Sequence, residues 1–306
     1  MEEDIFSRYR KAGQITARAL EIGKSRAREG YSLLALAEDI ESYIRKEGAF
    51  PAFPVNLSVD DAAAHFTPSS DCELVLRRGQ LVKIDCGACY GGCIGDSAIT
   101  VEIGSNDQMA LIESSRRALN RAIQAMKAGI SAGEVGSVIE QEISSMGFAP
   151  VENLSGHEVA EYNLHAGISV PNIAERDSGI IREGMFLAVE PFSTPGRGYV
   201  VERENGNIYH FAGKKNVHNE TARALMEDIA SSRELSSLPF CERWCVRIEE
   251  KRGTDRKTTQ KALKILERSG VVRNYPVLRE VTGSVVSQWE HTLLIKNEGC
   301  EVMTSL

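Results

Sequence analysis

A mixed α/β fold follows from the order of hydrophobic periods along the chain. Helical periods open it and return at 107–147, a Gly-centred hairpin pattern occupies 81–103, and short strands with Gly/Pro turns fill 154–212. A helical block at 214–273 then separates these from a last strand pattern at 283–295. The 306 residues suit two domains of roughly 150 residues each, or one large α/β unit.

Ile5, Tyr9, Ala12, Ile15 and Ala19 recur at helical spacing, which predicts a helix over 3–29 stopped by Gly30. Ser32 reads as the N-cap of a second helix, Leu33 to Glu47, ended by Gly48, and Pro51 and Pro54 keep the next stretch from being helical. The run LVKIDCGACYGGCIGDSAITVEI is rich in β-branched and small residues; a turn at Tyr90–Gly91 makes it a two-stranded hairpin in which Asp85 faces Asp96. An amphipathic helix is expected from Asp107 to Lys127 with Gly129 as stop, and Ser131 caps another that ends near Gly147. LSGHEVAEYNLHAGISVPN and MFLAVEPFS read as strands and GRGYVVERENGNIYHFAG as a loop. No low-complexity segment or short repeat stands out.

Lys and Arg number 36 against 43 Asp and Glu, a net charge of −7 that disfavours nonspecific binding to nucleic acid or acidic membranes. Block 214–273 differs, with 14 basic and 9 acidic residues. A solvated helical face explains this better than a surface docking on ribosomal RNA, since mixed-sign surfaces are ordinary. No apolar run approaches 18 residues, and MEEDIFSRYRKAG has no basic-then-apolar pattern, so neither a membrane span nor a secretory signal is expected. Seven cysteines, an odd count, read as reduced thiols and point to the cytoplasm.

The chemistry lies in acids placed where acids are costly. Asp85 and Asp96 sit in apolar strand patterns, as do Glu190 at the end of MFLAVE and Glu290 inside VVSQWEHTLLI. Two carboxylates on one strand face repel unless a proton or cation lies between them. For the two aspartates alone, a solvated face serves as well; for one glutamate alone, a core salt bridge is the plainer account. Four such acids with His157 make a shared cation attractive. One imidazole among carboxylates suits Mn²⁺, Fe²⁺, Co²⁺ or Zn²⁺, and five side chains suffice for a two-metal centre. Other motifs fail: Cys86, Cys89 and Cys93 have no second Cys/His pair, His157-Glu158 lacks a histidine four residues on, and no G-x-S-x-G, P-loop or dinucleotide fingerprint occurs.

The order Asp85, Asp96, His157, Glu190, Glu290 resembles the metal ligands of methionine aminopeptidases, and so do AAAHFTP, KIDCG, GDSAITV, LSGH, LHAGISVPN, VEPF and QWEHTLL. The resemblance runs from about residue 5 to the end, and the helical block resembles the insert of the type 2 class in its compact archaeal form. It implies a pita-bread fold: two pseudo-symmetric halves around an antiparallel sheet, formed by 1–213 and 274–306, with 214–273 as an inserted helical subdomain. It also implies two divalent ions per chain (Co²⁺, Mn²⁺, Fe²⁺ or Zn²⁺). Asp85 would chelate one, Asp96 and Glu290 bridge, and His157 and Glu190 hold the other. His65 and His165 match the active-site histidines, and Glu190 the proton-transfer glutamate. Phe53, Leu164, His210 and Tyr275 resemble a methionine pocket. Trp289 stands where the family more often has Phe.

The implied activity is removal of the initiator methionine from nascent proteins with a small second residue, through attack of a metal-bound hydroxide on the scissile carbonyl. The expected partner is the N-terminal Met of nascent chains, with no membrane, no specific DNA and a monomeric state; transient ribosome contact through the insert is the less favoured reading of its charge. The competing readings are a non-catalytic relative that binds RNA or protein, and a proline-specific aminopeptidase.

Overall fold

The computed structural model describes residues 4–176 and 178–305; the expected helix start at residue 3 lies outside them. Helix α1 (Ile5–Arg26) buries Tyr9, Ala12, Ile15 and Ala19, the stripe its period predicts. It stops before residue 29 because Ala27 turns extended. In α2 (Leu33–Lys46) the Ser32 hydroxyl accepts from the Ala35 N–H at 3.3 Å, and Gly48 beyond it is left-handed at φ +80°. Strands β1 (Phe50–Pro51), β2 (Asn56–Val59) and β3 (Ala62–Ala64) lead to the hairpin β4 (Leu81–Tyr90) and β5 (Cys93–Glu102).

The hairpin register corrects the sequence expectation. The turn residues are Gly91 and Gly92, both at positive φ, because a two-residue hairpin turn of the matching twist needs two left-handed residues and glycine adopts them without strain. Asp85 therefore faces Ala98, and Asp96 faces Gly87. Moving the turn by one residue moves the partner by two, so both aspartates still share a face, as diagonal neighbours within about 7–8 Å rather than as a direct pair.

Helices α3 (Met109–Ala125) and α4 (Ala132–Ser145) come next, the second with a reciprocal capping box between Ser131 and Glu134. Then come β6 (Ala149–Pro150), β7 (Ser155–Ala160), β8 (Asn163–Pro171), β9 (Phe186–Val189) and β10 (Phe192–Thr194). A second correction concerns the segment read as a loop: it is β11 (Val200–Phe211), a strand irregular between Glu202 and Ile208, which breaks its alternation. Helices α5 (Glu220–Ser231) and α6 (Arg233–Ser237), strand β12 (Phe240–Cys241), and helices α7 (Glu242–Glu250) and α8 (Arg256–Arg268) pack around Leu225, Ile229, Phe240, Trp244, Leu263 and Leu266. The chain returns through β13 (Val272–Glu280), β14 (Ser287–Gln288), β15 (Glu290–Lys296) and β16 (Gly299–Val302).

The main antiparallel sheet runs β1-β4-β5-β15-β9-β7-β8, with β2 added to β4 and β16 to β15. Helices α1 and α2 cover one half through Ile15, Leu36, Ile40 and Ile84; α3 and α4 cover the other through Leu119, Ile139, Ile143 and Leu187. Trp289 packs against both cores. The two halves echo each other in sequence too. Ser32…Gly48-Ala-Phe-Pro…Asn56-Leu-Ser recurs as Ser131…Gly147-Phe-Ala-Pro…Asn153-Leu-Ser, a repeat whose small number of identical letters hid it.

Helix α1 lies against the hairpin without a side-chain layer between. A Cβ on Gly95 would come within 2.7 Å of the Gly13 nitrogen, and one on Gly13 within 2.0 Å of the Met303 carbonyl oxygen. Thr16 seals the contact: its hydroxyl accepts from the Ala88 N–H at 3.0 Å and sits 2.9 Å from the Gly95 carbonyl. Gly13→Ala is thus expected to destabilise by about 1–3 kcal/mol, since backbone cannot yield as a side chain does. A urea midpoint equal to wild type would contradict it.

Candidate metal centre

Five adjacent strands of the main sheet carry or end at the candidate ligands. Asp85 is on β4, Asp96 on β5, Glu290 on β15, His157 on β7, and Glu190 comes directly after β9. The pairings Glu290–Ala98, His291–Val189 and His157–Ala188 lock these strands edge to edge. The His157 Nε2 lies 3.7 Å from an Asp96 oxygen and 3.8 Å from a Glu190 oxygen. Ligand atoms of Asp96, His157 and Glu290 all fall within 4.8 Å of one another.

The four carboxylates meet in one cleft, Asp96 and Glu290 buried and Asp85 and Glu190 largely so, and no Lys or Arg lines it among the described residues. Burial pushes the Asp85 carboxyl up to about 7. Burial, then the neighbouring carboxylates, push Asp96, Glu190 and Glu290 well above the usual range. One oxygen each of Asp85 and Asp96 is buried with no hydrogen-bond partner. Buried polar atoms are seldom left so, and the missing partner of a carboxylate cluster is a cation. The donor set, one imidazole with four carboxylates, fits divalent metals of intermediate hardness.

The surrounding residues hold the ligands still. The Asp96 N–H donates to Thr292 Oγ1 and the Thr292 hydroxyl to the Asp96 carbonyl, both at 2.8 Å. The Ser97 hydroxyl donates to the Glu290 carbonyl at 2.5 Å. Gln288 Nε2 donates to Glu190 at 3.2 Å and to Glu290 at 3.4 Å. Gln288 was not among the residues singled out from the sequence; its offset of two residues from Glu290 in a strand pattern was the available signal. Nor was Asn56, which lines the cleft with its carbonyl oxygen buried and unpartnered.

The cleft gathers ten of the eleven residues singled out from the sequence: the five candidate ligands with Phe53, His65, Leu164, His165 and Tyr275. His210 is the exception; it faces an adjoining hollow with His165, Tyr275 and Pro239. The His157 and His165 rings are 4.4 Å apart, and His65 stands edge-on to Tyr275 at 5.4 Å. His65 sits at φ +66°, a conformation that a non-glycine residue rarely holds, with its Nδ1 3.2 Å from the Pro276 carbonyl. Burial lowers His65 to about 4; burial with the adjacent His165 lowers His157 to about 3. Burial, then His210, lowers His165. All three are therefore neutral near pH 7.

Comparison with known proteins agrees with this geometry. The model of metallopeptidase family M24 matches residues 7–297. A methionine aminopeptidase of Pyrococcus horikoshii is 42% identical over 295 residues, covering 96% of this chain and 97% of that one. One of Archaeoglobus fulgidus is 36% identical over 304 residues, covering 99% and 100%. In structure, the methionine aminopeptidase of Thermotoga maritima superposes with a TM-score of 0.71 at 23% identity, covering 100% of this chain and 98% of that one. The likeness is one of fold, the pita-bread arrangement of curled antiparallel sheet and paired helices. By family match and full-length identity alike, the chain belongs to metallopeptidase family M24, among the archaeal methionine aminopeptidases.

Proposed function

We propose that this metal-dependent hydrolase removes N-terminal methionine with two divalent ions, which Asp85, Asp96, His157, Glu190 and Glu290 would hold, Asp96 and Glu290 shared between them. The buried four-carboxylate cluster without an internal cation carries this reading. When bound, the ions supply Lewis acidity, polarising the scissile carbonyl and bringing the pKa of water toward neutrality. Co²⁺, Mn²⁺, Fe²⁺ and Zn²⁺ all suit the donors.

The chain's own residues do the rest. Glu190, whose proton affinity is raised by burial and by Asp85 and Asp96, is suited to take a proton and pass it to the leaving amine. His165, neutral because it is buried, donates a hydrogen bond to the oxygen that gains charge, and His65 faces it across the cleft. Phe53, Leu164 and Tyr275 form an apolar wall for an unbranched side chain, and His210 borders it from the next hollow. His165→Ala is expected to lower kcat about a hundredfold, the usual cost of one oxyanion donor. Its metal content should match wild type; metal loss would make His165 a ligand instead.

Chelator-stripped protein titrated with Mn²⁺, Fe²⁺ or Co²⁺ should release methionine from Met-Ala-Ser and leave Xaa-Pro peptides intact. Cleavage of Xaa-Pro alone would favour a proline-specific enzyme, and no cleavage from folded protein a binding role. An odd count of seven cysteines supports a reducing cytoplasm as the working compartment of a monomer. Lys257, Lys261, Lys264 and Arg268 form an exposed stripe on α8 that supports transient ribosome contact. Charge reversal of the stripe without change in ribosome co-sedimentation would remove that contact.

A further inference from the structure

The inserted helices reach the catalytic cleft through a buried ion pair. Arg243, 1% exposed, is the second residue of α7, and Glu41, fully buried, lies on α2. The pairing is a two-pronged fork: Nη1 donates to Oε2 at 3.0 Å and Nη2 to Oε1 at 2.8 Å. Further donors go to the segment just after His65. Arg243 Nε donates to the Pro68 carbonyl at 2.8 Å, and Nη2 to the Thr67 hydroxyl at 3.0 Å. Glu242 beside it grips the same segment, accepting from the Ser70 N–H at 2.8 Å and the Ser70 hydroxyl at 2.6 Å.

Glu41 extends the network to the opposite wall. Its Oε1 also accepts from the Val55 N–H at 3.3 Å, and its Oε2 from the Trp244 indole at 2.7 Å. The Thr67 hydroxyl donates to the Val55 carbonyl at 2.8 Å. Val55 lies between Phe53 and Asn56, both of which line the cleft. The base is rigid, because α7 leaves directly from β12, which pairs with β11, the strand that bears His210. One guanidinium thus holds Thr67 and Pro68, two and three residues after His65, and through Glu41 and Thr67 ties the wall at Phe53–Asn56 to the insert.

A buried ion pair is a poor way to add stability, since well-packed apolar residues do as well. Its planar fork fixes direction as a hydrophobic contact does not. We propose that Arg243 and Glu41 are positioning residues that hold the strained His65 and the Phe53–Asn56 wall in register with the metal ligands, so that the insert sets the geometry of catalysis. This rests on the function proposed above.

The test is a double-mutant cycle with His65→Ala. Arg243→Lys keeps the charge but loses the fork and the bond to Pro68. It is expected to lower kcat on Met-Ala-Ser about ten- to a hundredfold, as misplacement of about 1 Å can, while Mn²⁺ affinity stays at the wild-type value. In the His65→Ala background the same change should have little further effect. Full additivity, or a fall in Tm with kcat unchanged, would overturn the proposal. Should Arg243→Lys fail to fold, Thr67→Val runs the same cycle, since it removes one hydroxyl from the network and keeps the side-chain shape. Should wild type release no methionine, the functional reading fails by itself. Positioning is then read from the ¹⁵N resonances of His65 in the metal-free protein: a shift in Thr67→Val supports it, and an unmoved imidazole overturns it.

Discussion

Asp96→Asn is expected to fold and to release methionine at least about a thousandfold more slowly than wild type, a loss of about 4 kcal/mol in transition-state stabilisation. The amide keeps the shape of the side chain and the backbone bonds to Thr292. It removes one of four negative charges and replaces an oxygen acceptor by a donor where no donor is needed. Asp96 is central to the cluster: it lies near His157, and its proton affinity is raised after burial by Asp85. Metal titration of the variant should show weakened binding and fewer ions per chain. Wild-type turnover would sink the assignment of Asp96 as a ligand.

The same substitution should make the metal-free protein more stable, and increasingly so as pH rises from 6.5 to 8. A carboxyl whose folded pKa is raised binds a proton in the native state that the unfolded chain has already released, so stability falls with rising pH through the folded value. The loss begins near the unfolded carboxyl value of about 4 and runs to the folded one: it ends at about 7 for Asp85 and extends to higher pH for Asp96, Glu190 and Glu290, raised well above their usual range. Buried histidines act oppositely, below about pH 6.5. His65, lowered to about 4, and His157, to about 3, lose stability as pH falls from about 6.5. Lys83, lowered by burial to about 7, gains stability as pH rises over the upper part of the acids' range. The decisive quantity is therefore the difference between wild type and Asp96→Asn, in which Lys83 cancels. One proton fewer in the cluster corresponds to about 1.4 kcal/mol per pH unit. Divalent metal should reverse the wild-type trend, adding about 4 kcal/mol at a thousand times Kd. Parallel pH curves for the two metal-free proteins would show that the acids do not share charge.

The candidate ligands stood out because each breaks a local rule: a carboxylate in an apolar strand run announces itself against its neighbours. The helix caps were equally plain, since Ser32 and Ser131 accept from the backbone three residues on. What failed was geometry that depends on backbone alone. Gly91 and Gly92 stand side by side in the sequence, but only their paired positive φ fixes the turn and thus the partner of Asp85. Strand β11 was hidden because Glu202, Arg203 and Glu204 are exposed on an irregular stretch, where alternation carries no signal. Arg243 was unreadable for another reason: a long polar side chain shows its partners only after distant strands and helices have met.

The placement of the candidate ligands on β4, β5, β7 and β15 and directly after β9 has a consequence for timing. Glu290 joins Asp96 only when β15 inserts between β5 and β9, segments far apart along the chain. Such non-local closure is slow relative to helix and hairpin formation. Until it happens, the early hairpin presents two aspartates with neither His157 nor the glutamates nearby, a poor trap for a transition metal. Metal uptake by this cluster would therefore report that β15 has taken its place, and a half-folded chain would stay both metal-poor and proteolytically silent.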